Sequence, residues 1–347
     1  MQSSLLKKIN RLTSEKDLKR IKGDVNKIIS EVSSIQEEIF NSENGSSSSV
    51  NKNFLLSELN QIMRTQTLGR TQYYLNRLAK SLTQNKTSNL NDINLNRWKE
   101  YNDIITDSLW IIDKRDKSGA HKADYWGNFI PQIPNQFLRR YTKKGDWIFD
   151  PFAGSGTTLI ECRRLGRNGI GIELNPTVAK LARENLRKEK NPNKINTKIV
   201  TGDSTSIDFQ GELIKEKISS FQFFLLHPPY WDIITFSKRK NDLSNAKTVD
   251  DFLMMFSNVA EKTYPLLDKG RYCAVVIGDK YSSGEWIPLG FFVMQEMMKR
   301  GYRLKSTIVK NFNATKGKMN QKELWRYRAL AGGFYIFKHE YIFLFQK

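Results

Sequence analysis

Between Leu18 and Ile39 the apolar positions recur at alternating three- and four-residue steps, at Leu18, Ile21, Val25, Ile28, Val32, Ile35 and Ile39, with Lys and Glu in the intervals. This spacing predicts a heptad-like helix within residues 1–40, whose apolar seam must be covered by its own domain or by a second helix. Residues 41–52 open with Asn-Ser-Glu-Asn-Gly-Ser-Ser-Ser-Ser, which has no apolar group to bury and reads as a flexible linker. Over residues 53–120 helical spacing returns, at Leu55, Leu56, Leu59, Ile62 and Met63 and again at Tyr74, Leu75, Leu78 and Leu82, predicting a helical region. From Trp147 the pattern changes to short runs rich in Ile, Val and Phe separated by helical segments. Strands are expected at 147–152, 169–174, 198–201, 221–226, 272–277, 304–310 and 341–345. Strands alternating with helices imply an α/β domain over 121–347 with a mostly parallel, doubly wound sheet.

A chain of 347 residues has room for one such domain and a smaller accessory region. The 56 Lys and Arg against 36 Asp and Glu leave a net charge of +20, which favours a polyanionic partner over a neutral metabolite, the alternative being a solvated lysine-rich surface. Two cysteines, Cys162 and Cys273, are too few for a disulfide framework or a four-ligand zinc site, and no metal is expected. No segment resembles a signal peptide or reaches the roughly 18 apolar residues of a membrane span. A soluble, cytoplasmic protein is the expectation.

The segment Asp150-Pro151-Phe152-Ala153-Gly154-Ser155-Gly156-Thr157-Thr158 follows a hydrophobic strand and opens a helix, so its glycines let the backbone approach a ligand at the strand's carboxyl end. Glu173, followed by Leu174, ends the second strand 23 residues after Asp150, near the roughly 20-residue step at which an acid in this topology reaches a ribose diol; the alternative is a helix cap. Asp203 and Ser204 end the third strand. There Asp203 either accepts from an adenine amino group or forms an Asx turn.

These segments resemble the amino-methyltransferases that make N6-methyladenine or N4-methylcytosine in DNA. The resemblance runs from about Asn128 to the end and implies a Rossmann-like class I methyltransferase fold with a closing antiparallel strand, preceded here by a helical region. It implies S-adenosyl-L-methionine as cofactor, held by the glycine loop and Glu173, with Phe129 and Ile130 in the segment that covers the methionine moiety.

The fourth strand ends in His227-Pro228-Pro229-Tyr230, where the family usually has Asp, Asn or Ser before Pro-Pro and an aromatic. An exocyclic amine is a poor nucleophile until acceptors aim its lone pair at the methyl donor; the first side chain and the first proline's carbonyl, held rigid by the prolines, serve as those acceptors. Tyr230 is expected to stack on a flipped base. A neutral His227 can accept one bond and also take a proton near neutral pH, so it can fill the acceptor's role. Trp231, Lys238, Arg239 and Lys240, with Lys316, Lys318 and Arg326 further on, mix basic and aromatic groups in a pattern suited to nucleic acid. The resemblance therefore implies a site-specific DNA methyltransferase, adenine N6 before cytosine N4, in a restriction-modification or defence setting. An RNA methyltransferase of the tRNA guanine-N2 type and a non-catalytic subunit are the alternatives. The heptad helix is a candidate surface for self-association or for a protein partner.

Overall fold

The apolar seam that starts at Leu18 lies on the second of two short helices. α1 (Gln2–Thr13) ends at a turn, and α2 (Leu18–Ser33) begins where the carboxylate of Asp17 accepts the backbone N–H groups of Lys19 and Arg20. An N-cap of this kind satisfies donors that the first turn leaves unpaired, so the chain restarts a helix there. The computed structural model describes residues 2–35, 50–122, 125–282, 284–311 and 322–347. Ile39 and most of the expected linker lie outside the described residues.

The chain divides into two units, Met1–Ile104 and Ile105–Lys347. In the first, α3 (Lys52–Met63) is capped by Asn51 and α4 (Leu68–Thr83) by Thr67. The seam residues Ile21, Val25, Ile28 and Val32 are buried in one core with Leu5, Ile9 and Leu12 of α1, Leu55, Leu59 and Ile62 of α3 and Leu75 and Leu78 of α4. The seam is thus covered inside its own unit. Glu58, buried on α3, is held by Arg77 at 2.5 Å and Lys99 at 2.6 Å.

The second unit starts about 16 residues earlier than the pattern suggests, because β1 (Leu109–Trp110) already belongs to its sheet. There follow α5 (Gln132–Tyr141), β2 (Trp147–Asp150), α6 (Thr157–Leu165), β3 (Asn168–Glu173), α7 (Pro176–Lys188), β4 (Thr197–Thr201), α8 (Phe209–Lys215) and β5 (Phe221–Leu226). The rest comprises α9 (Val249–Thr263), β6 (Leu267–Ile277), the hairpin β7 (Lys280–Ser282) and β8 (Glu285–Ile287), α10 (Leu289–Lys299), β9 (Arg303–Asn311), α11 (Lys322–Gly332) and β10 (His339–Gln346). The eight-stranded sheet has the order β1-β9-β10-β6-β5-β2-β3-β4. Every pairing is parallel except those of β10, which runs antiparallel to β6 and β9. All seven expected strands are present, and the closing antiparallel strand falls where the resemblance implies.

Central strands covered on both faces read as continuous apolar runs, and β5, Phe-Gln-Phe-Phe-Leu-Leu, is such a run. One face packs Phe149, Phe224, Phe252, Phe256 and Phe343 into the main core. On the other, Leu159, Ile160, Ala179 and Ala182 of α6 and α7 form a second cluster, and a Cβ on Gly171 would stand 3.2 Å from Leu159 and 2.8 Å from the Cβ of Ala153 in the loop. The chain winds outward from β2 in one direction through β3 and β4 and in the other through β5 and β6. In such sheets the crevice at this reversal, outside the strands' carboxyl ends, is where ligands bind. No helix among the described residues is long and apolar enough to cross a membrane.

Candidate active site

Between β2 and α6 the loop turns on two glycines in the left-handed region, Gly154 at φ +52° and Gly156 at φ +90°. A Cβ on Gly154 would meet the Tyr125 ring at 3.2 Å, so the bare backbone forms part of the wall of a cavity of about 1010 Å³. Phe129, Ile130, Pro151, Phe152, Ala153, Gly154, Thr157, Glu173, Leu174, Asp203 and Ser204 all line this cavity.

Asp150, Ser155 and Gly156, grouped with them from sequence, are absent from the lining. Asp150 is buried beneath the loop, accepting the Thr158 hydroxyl at 2.5 Å and the Phe152 N–H at 2.9 Å. Burial lifts its carboxyl from the ordinary 3.8 to about 6, with the two hydrogen bonds opposing. Ser155 donates its hydroxyl to Asn128 Oδ1 at 2.9 Å. These residues shape the loop from behind.

Glu173 ends β3 facing the loop, with Oε2 accepting the Gly154 N–H at 3.0 Å and Oε1 the Asn175 N–H at 2.7 Å. Burial raises it from 4.5 to about 7 against those two bonds. The helix cap offered as its alternative role falls instead to Asn175, whose side chain accepts the Thr177 N–H. Asp203 accepts from Thr205, Ser206 and Asn241. Burial alone would raise its carboxyl, but these bonds outweigh it and hold it below the ordinary value. It forms the Asx-type turn and faces the cavity as well. Ser204 donates to the Pro151 carbonyl at 2.5 Å, tying the third strand's end to the glycine loop.

Arg115 and Asn128 carry a feature that no local pattern announced. Both line the cavity, yet Arg115 Nε and Nη2 and Asn128 Nδ2 are buried donors with no hydrogen-bond partner among the described residues. Arg115 is anchored through Nη1, which donates to the Phe129 carbonyl at 2.9 Å, and burial lowers its pKa. Buried donors left unpaired cost about 1–3 kcal/mol each, so this corner calls for an acceptor, ideally an anion. A ligand with a carboxylate near the loop and a diol near Glu173 fits both ends of the wall.

The tetrapeptide follows β5, and all four residues face the same cavity. His227 lies edge-on to the Phe129 ring at 4.9 Å and to Tyr230 at 5.5 Å. Burial lowers its pKa from 6.5 to about 4, the nearby Lys310 lowering it further and Glu340 opposing. At neutral pH the resting His227 is therefore neutral and available as an acceptor. Asp279 at the end of β6 also reaches the wall, but its oxygens accept from Gly290 and Trp286.

Among the expected nucleic-acid contacts, Lys238, Arg239, Lys240 and Arg326 are exposed. Trp231 is half-buried, donating to the Ala246 carbonyl with the Lys280 ammonium 3.9 Å from its ring centroid. Lys316 and Lys318 lie outside the described residues. Asp116, His121 and Glu161 bring ligand atoms within 4.8 Å of one another. Arg164 lies 3.2 Å from Asp116 and 3.4 Å from Glu161, so a guanidinium already balances these acids.

Residues 7–184, about half of the chain, match the N6/N4 methyltransferase family, described as DNA methylase. The chain belongs to this family. The matched span includes the glycine loop and Glu173 and ends before the tetrapeptide. Among individual relatives, Type II methyltransferase M.MjaII of Methanocaldococcus jannaschii is 48% identical over 64 residues, 18% of this chain and 12% of that protein. Type II methyltransferase M2.DpnII of Streptococcus pneumoniae is 38% identical over 104 residues, 28% of this chain and 35% of that protein. The chain thus spans about a third or less of the length of these relatives. A solved structure of TrmN from Thermus thermophilus aligns over 63% of this chain and 49% of its own, with 15% identity and a TM-score of 0.41.

Proposed function

We propose that this methylase-family chain transfers a methyl group from S-adenosyl-L-methionine to an exocyclic amino group of a DNA base, adenine N6 being the first target to test, as the modification component of a restriction-modification pair. The observation that carries this is the convergence of His227-Pro228-Pro229-Tyr230, the glycine loop and Glu173 on one cavity. Membership of a family described as DNA methylase and relatives named Type II methyltransferases support the DNA target and the setting.

The unpaired donors of Arg115 and Asn128 suit the cofactor's carboxylate, Glu173 its ribose hydroxyls, and the bare backbone at Gly154 its close approach. When bound, the cofactor supplies an electrophilic methyl on a sulfonium. His227 and the Pro228 carbonyl accept the amine's N–H bonds and turn its lone pair toward that methyl. Their pre-set positions avoid reorganisation during the reaction. Tyr230 offers its ring to the base, and the exposed Lys238, Arg239, Lys240 and Arg326 contact phosphates.

His227→Ala should abolish methyl transfer, at least a hundredfold as for loss of a positioned acid–base group (~10²–10⁴-fold), while cofactor affinity stays within a fewfold. A tritium-transfer assay on duplex DNA and total RNA, with isothermal titration for the cofactor, checks both. Unchanged turnover in the variant removes His227 from the mechanism; transfer to RNA alone, or no transfer, replaces this proposal with one of its alternatives.

A further inference from the structure

Behind the tetrapeptide lies a buried ion pair that the reaction above does not use, joined to it through the Tyr230 hydroxyl. Lys310 on β9 and Glu340 on β10 are direct cross-strand partners. Lys310 Nζ is 3.1 Å from Glu340 Oε1, and both side chains are almost fully buried, at 6% and 5% exposure. The second carboxylate oxygen, Oε2, accepts the Tyr230 hydroxyl at 2.8 Å. That hydroxyl lies 3.1 Å from His227 Nε2. Both Lys310 and Glu340 also touch the cavity.

We infer that Lys310, Glu340 and Tyr230 form a positioning relay that fixes the ring tautomer of His227, so that its lone pair for the substrate amine is on Nδ1. This rests on the function proposed above for the same site.

Each link is set by hydrogen-bond inventory. A carboxylate in an ion pair with Lys310 only accepts, so Tyr230 must donate its single proton to Glu340. The phenol oxygen is then left with lone pairs alone toward His227, so the contact requires a hydrogen on Nε2. In a neutral imidazole that leaves Nδ1 bare. Without the relay, either nitrogen could carry the proton, and the molecules with a hydrogen on Nδ1 would present an N–H where an acceptor is needed. A buried ion pair is weak evidence for stability, because its desolvation costs about as much as its attraction returns. Its position behind the one residue that departs from the family's usual Asp, Asn or Ser is accounted for by orientation: a carboxylate or amide needs no tautomer control, whereas an imidazole does.

The relay also receives charge. With the cofactor bound and supplying its methyl as an electrophile, its sulfur keeping the bonding pair, the methylated amine would carry one proton too many, and that proton would pass to Nδ1. The resulting imidazolium still donates Nε2–H to Tyr230, one hydroxyl away from the Glu340 carboxylate. On product release the proton on Nδ1 leaves to water.

The chain contains three histidines, so ¹⁵N spectra of histidine-labelled protein near pH 7 are tractable, with His227→Ala identifying the signal. The wild type should show His227 as the Nε2–H tautomer with a bare Nδ1. Tyr230→Phe, which keeps the ring, should mix the tautomers and lower kcat about tenfold while cofactor Kd stays within twofold. Glu340→Gln should do the same; should it fail to fold because the buried ion pair with Lys310 is lost, Tyr230→Phe decides. A wild-type Nδ1–H tautomer, or an unchanged Nε2–H signature in Tyr230→Phe, overturns the relay. Because the tautomer is read without turnover, a chain that methylates nothing would defeat the function proposed above and leave this test standing.

Discussion

At the scale of single residues, the cavity collects groups whose ionisation or pairing the fold has altered. Arg115 is the sharpest case, since two of its donors are buried without a partner among the described residues. A charge-assisted hydrogen bond is worth about 1.5–3 kcal/mol, or roughly 10- to 100-fold in affinity. Arg115→Met should therefore weaken cofactor binding by about that factor in isothermal titration, whereas an unchanged Kd would remove Arg115 from the cofactor site. Glu173 titrates near 7 in the folded chain against an ordinary 4.5. Between those values the unfolded chain has released a proton that the folded chain still holds, so stability falls as pH rises through that window and is flat above it. Glu173→Gln removes this dependence. Its unfolding midpoint relative to wild type, measured without cofactor, should rise from about pH 5 to about pH 7.5, and a constant difference would contradict the raised value.

At the scale of elements, the helices that frame the sheet are started by side chains as well as by packing. α9 begins with a capping box, in which the Thr248 hydroxyl accepts the Asp251 N–H and the Asp251 carboxylate accepts that of Thr248. Its buried face, Phe252, Phe256, Val259 and Ala260, supplies much of the core beneath β5 and β6. Thr248→Ala should cost about 1 kcal/mol, read as a lower denaturation midpoint with an unchanged slope. The same capping logic splits α1 from α2 at Asp17. The apolar spacing of α2 is periodic whether its seam meets a second chain or its own neighbours, and the placement of α3 and α4 resolves that locally undecidable question.

At the scale of the whole molecule, the excess of 20 positive charges bears on any polyanion the chain meets. Counterion release makes such binding steeply salt-dependent, with log K falling by about 0.9 per phosphate neutralised for each decade of salt. If six or more phosphates are contacted, affinity for duplex DNA should drop roughly a thousandfold or more between about 50 and about 200 mM salt. A flat salt profile in fluorescence anisotropy would show that the charge is only a solvated surface.

The tetrapeptide, the glycine loop and the strand pattern were legible in sequence because each is a local statement. Prolines restrict φ, glycines admit positive φ, and a strand buried on both faces is apolar throughout its length. Lys310, Glu340 and Arg115 were not legible, since a lysine or glutamate near a strand end has the same local signature whether it faces water or a partner. The sequence by itself determined which periods and turns the chain adopts, and with them the family and the position of the tetrapeptide at the end of β5. Only the tertiary structure decided what stands behind His227 and what covers the α2 seam, because cross-strand register and helix packing join residues far apart in the chain whose pairing no local pattern encodes.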